Sequence, residues 1–167
     1  MDDQDDRGYS RAPELEDLAS LCKAPNDQRV RYILIGGFAV ILHGFVRATK
    51  DIDLLVDPSP ENVQRLKRAM ATLPDNAIAL MADDEVDRYG VVRVADEFVV
   101  DLMKSACGIQ YDEAIEHIDR RDVQGITIPI ADKELLIRTK DTVRPSDAAD
   151  VRFLRLRISE EEKNSRR

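Results

Sequence analysis

The fold is decided by the stretch YILIGGFAVILHG, residues 32–44. Its first four residues, Tyr32–Ile35, are apolar and include β-branched side chains, so they predict a short buried strand. Gly36 and Gly37 predict a sharp turn from this strand into a helix over residues 38–43. Gly44 stands where a left-handed residue usually ends a helix. We therefore interpret the stretch as a strand, a glycine turn and a short helix.

The next stretch, residues 46–56, predicts a second strand whose two faces differ in polarity. Successive side chains of a strand point to opposite faces, and the polar face carries Arg47, Thr49, Asp51 and Asp53. Asp51 and Asp53 repel each other when both are ionised, which is costly unless a cation lies between them. Magnesium is the natural candidate because it prefers hard oxygen ligands.

A third carboxylate, Asp101, interrupts an otherwise apolar strand predicted over residues 97–103. If this strand lies beside residues 46–56, Asp101 joins Asp51 and Asp53, and the three can hold two divalent ions for phosphoryl transfer. Acidic pairs near strand ends are also common as solvated surface charges, and a glycine pair alone is often only a tight turn. The combination favours a site, because backbone N–H groups at such a turn attract a triphosphate.

The remaining elements are predicted from apolar periodicity and turn residues. Helices are predicted from Pro13 to a point before Pro25, over 61–73 with Ser59 as N-cap, near 111–118, over 132–139, and from Pro145 to about residue 158. Further strands are predicted as a hairpin of residues 90–94 and 97–103, and at 126–130. Together these elements predict a mixed α/β (α+β) fold in which helices flank a central mixed β-sheet.

One domain over residues 12–158 is expected, because 167 residues are an ordinary length for a single core. Residues 1–11 are predicted to be a disordered acidic tail, and residues 159–167 a charged C-terminal tail. No stretch approaches the roughly 18 apolar residues of a membrane span, and the acidic start is unlike a targeting sequence, so we predict a cytoplasmic protein. Cys22 and Cys107 lack metal-ligand spacing and are predicted to be reduced, mostly buried thiols.

The balance of charge limits the classes of partner. With 25 basic and 33 acidic residues, the formal net charge is −8. This charge argues against broad binding to duplex nucleic acid, which depends on Lys and Arg. The C-terminal part nevertheless contains a basic cluster that is a candidate local patch. Its members are Arg138, Lys140, Arg144, Arg152, Arg155 and Arg157.

Residues 36–56 resemble the signature of the polymerase-β-like nucleotidyltransferase superfamily. They read Gly-Gly-x-Ala, then His-Gly, Arg-x-Thr and Asp-Ile-Asp, which is most similar to the branch that includes the AbiEii-type toxins of abortive-infection systems and many small nucleotidyltransferases. A second set resembles the Lys-x-x-x-Arg-x-x-Asp-x-x-Asp motif of that branch: Lys140, Arg144, Asp147 and Asp150. The wider superfamily has Gly-Ser where this chain has Gly36-Gly37, so a hydroxyl near the phosphates is missing.

The resemblance implies a nucleotidyltransferase fold and transfer of a nucleoside monophosphate from a nucleoside triphosphate, such as ATP, to a hydroxyl acceptor. It implies that Asp51, Asp53 and Asp101 are catalytic and bind two Mg²⁺ ions, for which Mn²⁺ can substitute. The residues placed at the nucleotide are Gly36, Gly37, Arg47, Thr49, Lys140, Arg144 and Asp147. Asp150, although part of the motif, is explained equally well as an acid that complements a helix dipole. His43 is interpreted as a structural side chain bonded to local backbone rather than as a general base.

Three hypotheses about function follow. The first is an active transferase whose acceptor is an RNA end, a protein or a small molecule. The second is a component of a toxin–antitoxin system with the same fold, acting with its toxin or antitoxin partner. The third is a nucleotide-binding module that keeps the fold without turnover. No membrane partner is expected.

Overall fold

A computed structural model describes residues 10–167 of the chain. The predicted disordered tail therefore lies outside the described residues, except for Ser10 and Arg11. The hydroxyl of Ser10 donates a hydrogen bond to the carbonyl of Asp96 at 2.6 Å, and the backbone N–H of Arg11 donates to the carbonyl of Glu97 at 3.0 Å. These two residues are thus bonded to a turn of the domain.

Helices and strands alternate along much of the described chain. The helices are α1 (Leu15–Asp27), α2 (Gly36–Leu42), α3 (Pro60–Met70), α4 (Glu85–Tyr89), α5 (Tyr111–Ala114), α6 (Lys133–Thr139) and α7 (Pro145–Ser165). The strands are β1 (Tyr32–Ile35), β2 (Asp51–Val56), β3 (Val91–Ala95), β4 (Val99–Met103), β5 (Ser105–Ala106), β6 (Ile109–Gln110), β7 (Ile118–Val123) and β8 (Ile126–Ala131). A short 3₁₀ helix covers Ala77–Leu80.

Six strands form one mixed sheet in the order β3-β4-β2-β1-β8-β7. β2 is parallel to β4 and β1 is parallel to β8, whereas β1 and β2 are antiparallel. Ile33 and Leu34 point to opposite faces of β1, and both are fully buried, so the sheet is covered on both sides. The predicted mixed α/β fold, a central sheet with flanking helices, is confirmed.

Helices on the sheet close the core. α1 packs against α3 and β8, while α2 contacts β1, β2 and α6. The apolar residues predicted for β1 are all buried, because the strand lies in the middle of the sheet. α2 therefore leaves the central strand directly at the glycine turn, as the opening stretch predicts.

The strand predictions are confirmed in part. The hairpin forms as antiparallel β3 and β4. The strand predicted over residues 46–56 is wrong at its start, because β2 begins at Asp51. β4 pairs with β2 only from the position where Asp51 lies opposite Val99, and β1 pairs with it only from Asp53. Residues 46–50 have no ladder partner and form a loop instead.

β7 was not predicted, because its sequence does not look like a strand. The helix predicted near 111–118 ends at Ala114, and β7 begins at Ile118. Four charged residues fill the middle of β7: Asp119, Arg120, Arg121 and Asp122. β7 is an edge strand, where charged side chains can remain solvated and discourage pairing with other chains.

Two helices are longer than predicted. α1 continues through Pro25, since a proline in the last turn removes only one backbone hydrogen bond and here buries its ring. α7 extends to Ser165, so most of the predicted charged tail is helical. Its last turns are rich in Glu and Lys, which are good helix formers. An ion pair of 3.1 Å between Lys133 and Glu161 also connects this part of α7 to α6.

The two thiols lie in different environments. Cys22 is buried in α1, as predicted, but Cys107 is exposed, so the prediction of a mostly buried thiol is wrong there. Cys107 lies in the turn between β5 and β6, a two-stranded hairpin that is separate from the main sheet. Both cysteines are free.

Asn62 fixes the start of α3 against the sheet. Its side-chain amide donates to the carbonyls of Arg31 at 3.0 Å and Asp57 at 2.8 Å, and its oxygen accepts from the N–H of Arg31 at 2.7 Å. Ser59 precedes the helix at the predicted N-cap position but makes no capping bond with its side chain. The buried Asn62 side chain therefore connects the helix start to the strand ends.

We predict that Asn62→Ala lowers the free energy of unfolding by about 2 to 4 kcal/mol, because three backbone groups lose their partners. Urea denaturation followed by circular dichroism measures this change. Gln64→Ala, at an exposed position of the same helix, is the control and should change stability far less. Equal losses in the two variants would contradict the assignment.

Candidate active site

The three predicted acids converge on one face of the sheet. β2 and β4 are parallel and place Asp53 opposite Asp101, while Asp51 lies two residues earlier on the same face of β2. Each carboxylate offers an oxygen atom, and these three oxygens lie within 4.8 Å of one another. The prediction that Asp101 lies beside the other two acids is confirmed.

Burial and mutual repulsion make the charged forms of these acids costly. Burial, followed by the charges of Asp51 and Asp101, raises the pKa of Asp53 to about 7. The pKa of Asp51 is also raised, first by burial and then by Asp101. Such a group of carboxylates favours a cation at its centre.

The glycine turn is in direct contact with this group. Gly36 has a φ of +73°, and a Cβ atom built on it would lie 2.0 Å from Oδ2 of Asp53. A Cβ atom on Gly37 would lie 2.7 Å from Oγ1 of Thr49. No larger residue fits at either position without displacing a site side chain. The glycines thus bring bare backbone against the acids.

A small cleft joins the acids to the second predicted motif. The cleft has a volume of about 110 Å³. It is lined by all of the residues predicted to bind the nucleotide, together with Asp51, Asp53 and Ser146. Those residues are Gly36, Gly37, Arg47, Thr49, Lys140, Arg144 and Asp147. The structure therefore brings the two sequence motifs to one place, although residues 51 and 140 are far apart in the chain.

Two buried acids on α7 hold the cations of this cleft. Asp147 accepts from Nε of Arg144 at 2.9 Å and lies 3.4 Å from Nζ of Lys140. Asp150, which is 1% exposed, lies 2.9 Å from Nζ of Lys140 and 2.5 Å from Nη1 of Arg47. Asp150 is therefore an ion-pair partner inside the site, and the alternative of a solvated helix-dipole acid does not apply.

The protonation of Asp147 follows from these contacts. Burial alone would raise its pKa, but the hydrogen bond from Thr142 and the charges of Lys140 and Arg144 outweigh burial and lower the pKa. Asp147 thus stays charged and can position both cations.

Arg47 and Thr49 reach the cleft from a loop. They were predicted on the polar face of a strand, but the strand begins only at Asp51. Oγ1 of Thr49 donates to the carbonyl of Asp51 at 3.3 Å, and Arg47 is held by Asp150 on α7. The loop therefore depends on side-chain bonds for its position.

Arg93 is a site residue that the sequence did not reveal. It lies on β3 opposite Asp101. Its Nε and Nη2 donate to the two oxygens of Asp101 at 2.9 and 3.0 Å, and Nη2 also donates to Asp51 at 3.2 Å. The hairpin itself was predicted correctly. Its cross-strand register, which places Arg93 opposite Asp101, is the signal that could have identified Arg93. Arg93 offsets part of the negative charge of the three acids.

His43 lies outside this constellation. Its Nε2–H donates to the carbonyl of Ala131 at 2.9 Å, and the ring is buried. Burial lowers the pKa of His43. Its role is to connect the end of α2 to β8, in keeping with a structural rather than a chemical function.

The donor set fits a divalent metal. Three carboxylates offer hard oxygen ligands on one side of the cleft, which is the chemistry that Mg²⁺ and Mn²⁺ prefer. Burial and the charges of Asp51 and Asp101 raise the pKa of Asp53, and a cation between the acids would offset both effects. Asp51, Asp53 and Asp101 are the residues that could hold such an ion.

Among residues 10–167, no helix is both long enough and apolar enough to span a bilayer.

Comparison with known proteins identifies a family and a protein of similar fold. The family model described as "Nucleotidyltransferase of unknown function (DUF6036)" matches residues 14–157. A crystal structure of a protein from Thermotoga maritima, provisionally assigned as a nucleotidyltransferase, is similar with a TM-score of 0.53 and 15% sequence identity, over 95% of this chain and 94% of that chain. At this identity the likeness shows a shared fold. No curated protein is significantly similar in sequence.

We predict that Asp53→Asn raises the Tm of the metal-free protein at pH 8 by about 4 °C or more. The folded pKa of about 7 lies above the unfolded value of about 3.9, so protonation of Asp53 favours folding. That contribution is complete below about pH 4 and is lost as the pH rises through about 7. Differential scanning calorimetry at pH 5 and pH 8 tests this, and an equal effect at both would contradict it.

We predict that Arg93→Gln binds Mn²⁺ about fivefold or more tightly than the wild-type chain, because a positive charge beside the acids is removed. Electron paramagnetic resonance of free Mn²⁺ measures the affinity. Arg88→Gln, which removes an exposed arginine on α4, is the control. Unchanged or weaker Mn²⁺ binding by Arg93→Gln would show that Arg93 does not compete with the ion.

Proposed function

This chain belongs to the family of nucleotidyltransferases of unknown function (DUF6036), and on that premise we propose that it transfers a nucleoside monophosphate from a nucleoside triphosphate to a hydroxyl group. The observation that carries the proposal is the convergence of three carboxylates beside a glycine turn. In the reaction, the acceptor oxygen attacks the α-phosphorus, the bond between the α-phosphorus and the bridging oxygen to the β-phosphate breaks, and pyrophosphate leaves.

The triphosphate would lie along Gly36 and Gly37. Both glycines line the cleft and let phosphate oxygens approach their backbone closely. The side chain of Arg144 is 72% exposed and can turn onto a phosphate while Asp147 holds its Nε. Nη2 of Arg47 faces the glycine turn, 3.4 Å from the position of a Cβ on Gly37. These two arginines are the proposed phosphate-binding side chains.

Lys140 has a different part in this proposal. Its side chain is 7% exposed and its ammonium group lies between Asp147 and Asp150. Both acids offset its charge, so its main effect is to keep α6 and α7 in place around the cleft. Its positive charge also lowers the pKa of Asp53, against the larger effects that raise it. Thr49 fills the space beside Gly37 and bonds to the backbone of Asp51.

The acids would hold two Mg²⁺ ions, with Mn²⁺ as a substitute. When bound, these ions neutralise the charge that develops on the transferred phosphoryl group. Arg93 orients the carboxylate of Asp101. In the proposal, Asp101 accepts the proton that the acceptor hydroxyl loses. Asp51 and Asp53 keep their oxygens directed toward the same centre because β2 fixes both side chains.

The narrower family branch and a biological partner are supported by the sequence alone. Membership of the AbiEii-type branch and a partner in a toxin–antitoxin system remain predictions from the resemblance. The other alternative is a nucleotide-binding module without turnover, which would bind a triphosphate but transfer nothing to an acceptor.

We predict that Asp51→Asn combined with Asp53→Asn lowers nucleotide transfer by about a hundredfold or more, since the cation site is lost. The full chain is incubated with Mg²⁺ and each α-labelled triphosphate, with and without a pool of RNA. Label in RNA and protein and the release of pyrophosphate are measured. Asp75→Asn, an exposed acid away from the cleft, is the matched control and should keep full activity.

Each outcome of this experiment has a distinct meaning. Label transfer by the wild-type chain and the control, but not by the double variant, supports the proposal. Equal labelling by the double variant would contradict the catalytic assignment. Triphosphate binding without transfer to any acceptor would favour the nucleotide-binding module instead.

A further inference from the structure

A second, larger cavity opens beside the active site. This groove has a volume of about 700 Å³ and lies between α6, α7 and the β5–β6 hairpin. Ile109, Ile137 and Val151 contribute apolar surface to it, and three arginines line it as well. These arginines are Arg138, Arg152 and Arg155. The groove is large enough for part of a substrate in addition to the nucleotide.

Among residues 10–167, two of these arginines have no acidic partner. Arg138 forms a salt bridge with Glu113. Within the described part of the chain, the salt bridges of α7 involve neither Arg152 nor Arg155. Both arginines are exposed, and Asp141 is the one acid among the residues that line the groove. The groove is therefore positively charged in a chain whose net charge is −8.

The groove adjoins the active site. Cys107, Lys140 and Thr142 line the groove, and the same three residues line a cavity of about 210 Å³ next to Asp53 and Gly36. The groove and the cavity beside Asp53 therefore lie next to each other, on either side of these shared residues. The positive charge lies on the approach to the reacting centre rather than on an unrelated surface.

The spacing of the charges indicates the shape of the ligand. Arg152 and Arg155 follow Asp147 by five and eight residues on α7, which places them about 7.5 and 12 Å farther along the helix. Asp147 itself lines the cleft at the acids. A ligand that pairs with these arginines and also reaches the acids must then extend over roughly 12 Å along the helix, farther than a single phosphate group. A chain with regularly spaced phosphates fits this pattern.

We propose that the groove binds a single-stranded polynucleotide acceptor, with its backbone phosphates paired to Arg152 and Arg155 and its terminal hydroxyl directed toward Asp101. This inference rests on the proposed function and specifies its acceptor. Duplex nucleic acid is disfavoured, because the net charge is −8 and two unpaired cations neutralise few phosphates. The apolar lining from Ile109, Ile137 and Val151 supplies contact surface for the bases.

Binding of a fluorescent single-stranded RNA to the full chain tests the proposal without nucleotide or turnover. Arg152→Gln with Arg155→Gln should weaken RNA binding roughly tenfold or more, measured by fluorescence anisotropy. The slope of log K against log salt should become shallower by about 1.4, since two phosphate contacts are lost. Arg166→Gln with Arg167→Gln removes the same charge at the end of the chain and is the matched control, with unchanged RNA binding.

Cys107 gives an independent readout of the same groove. It is the exposed one of the two cysteines, so a maleimide reagent reports its accessibility while Cys22 stays buried. Bound single-stranded RNA should slow labelling of Cys107, whereas duplex RNA of the same length should have little effect. This measurement also shows that the RNA lies in the groove and not elsewhere on the protein.

Failure of this inference is distinguishable from failure of the proposed function. If the wild-type chain transfers label to a protein or a small molecule but does not bind RNA, the groove assignment is wrong and the transferase proposal stands. If groove and control variants bind RNA equally well, or Cys107 is not protected, the assignment is also wrong. If RNA binds in the groove but no triphosphate is used, the transferase proposal fails instead.

Discussion

The mutual repulsion of three carboxylates is the constraint on which the rest of the site depends. Parallel pairing of β2 with β4 forces Asp53 and Asp101 side by side, and Asp51 shares their face. Partial burial makes their charge more costly, which is why the pKa of Asp53 rises to about 7. Arg93 compensates from one side, but a guanidinium cannot occupy the space in front of all three acids. A divalent cation would offset the repulsion, and the proposed phosphoryl transfer would use the charge of that cation.

A second set of charges positions the parts of the site that the sheet does not carry. Asp147 and Asp150 are buried on α7 and bind cations from the α6–α7 connection and from the loop before β2. These bonds hold the loop with Arg47 against α7, although no strand pairing supports it. Because the same helix continues as one wall of the large groove, the active-site cleft and the groove have a fixed relation to each other.

Local signals in the sequence were sufficient for the centre of the fold and for the three acids. The glycine turn after β1 and the alternation of polar and apolar residues in β2 are each visible within a few consecutive residues. Asp101 likewise stands out within its own apolar strand, β4. Arg93 required the register of the β3–β4 hairpin, which sequence spacing did not supply. The contact of Arg47 with Asp150 joins residues 103 positions apart, so no local pattern contains it. β7 was missed because an edge strand tolerates charges that mimic a loop.

The central claim is that the three acids jointly bind divalent cations, and carboxylate titration tests it most directly. Carbon-13 NMR of the aspartate side chains can follow Asp53 as a function of pH, first without metal and then with Mg²⁺. Without metal, we expect a pKa of about 7 for Asp53. With Mg²⁺ we expect a marked decrease of this pKa, together with changes in the carboxyl chemical shifts of Asp51 and Asp101. An Asp53 pKa that is the same with and without Mg²⁺ would contradict the account.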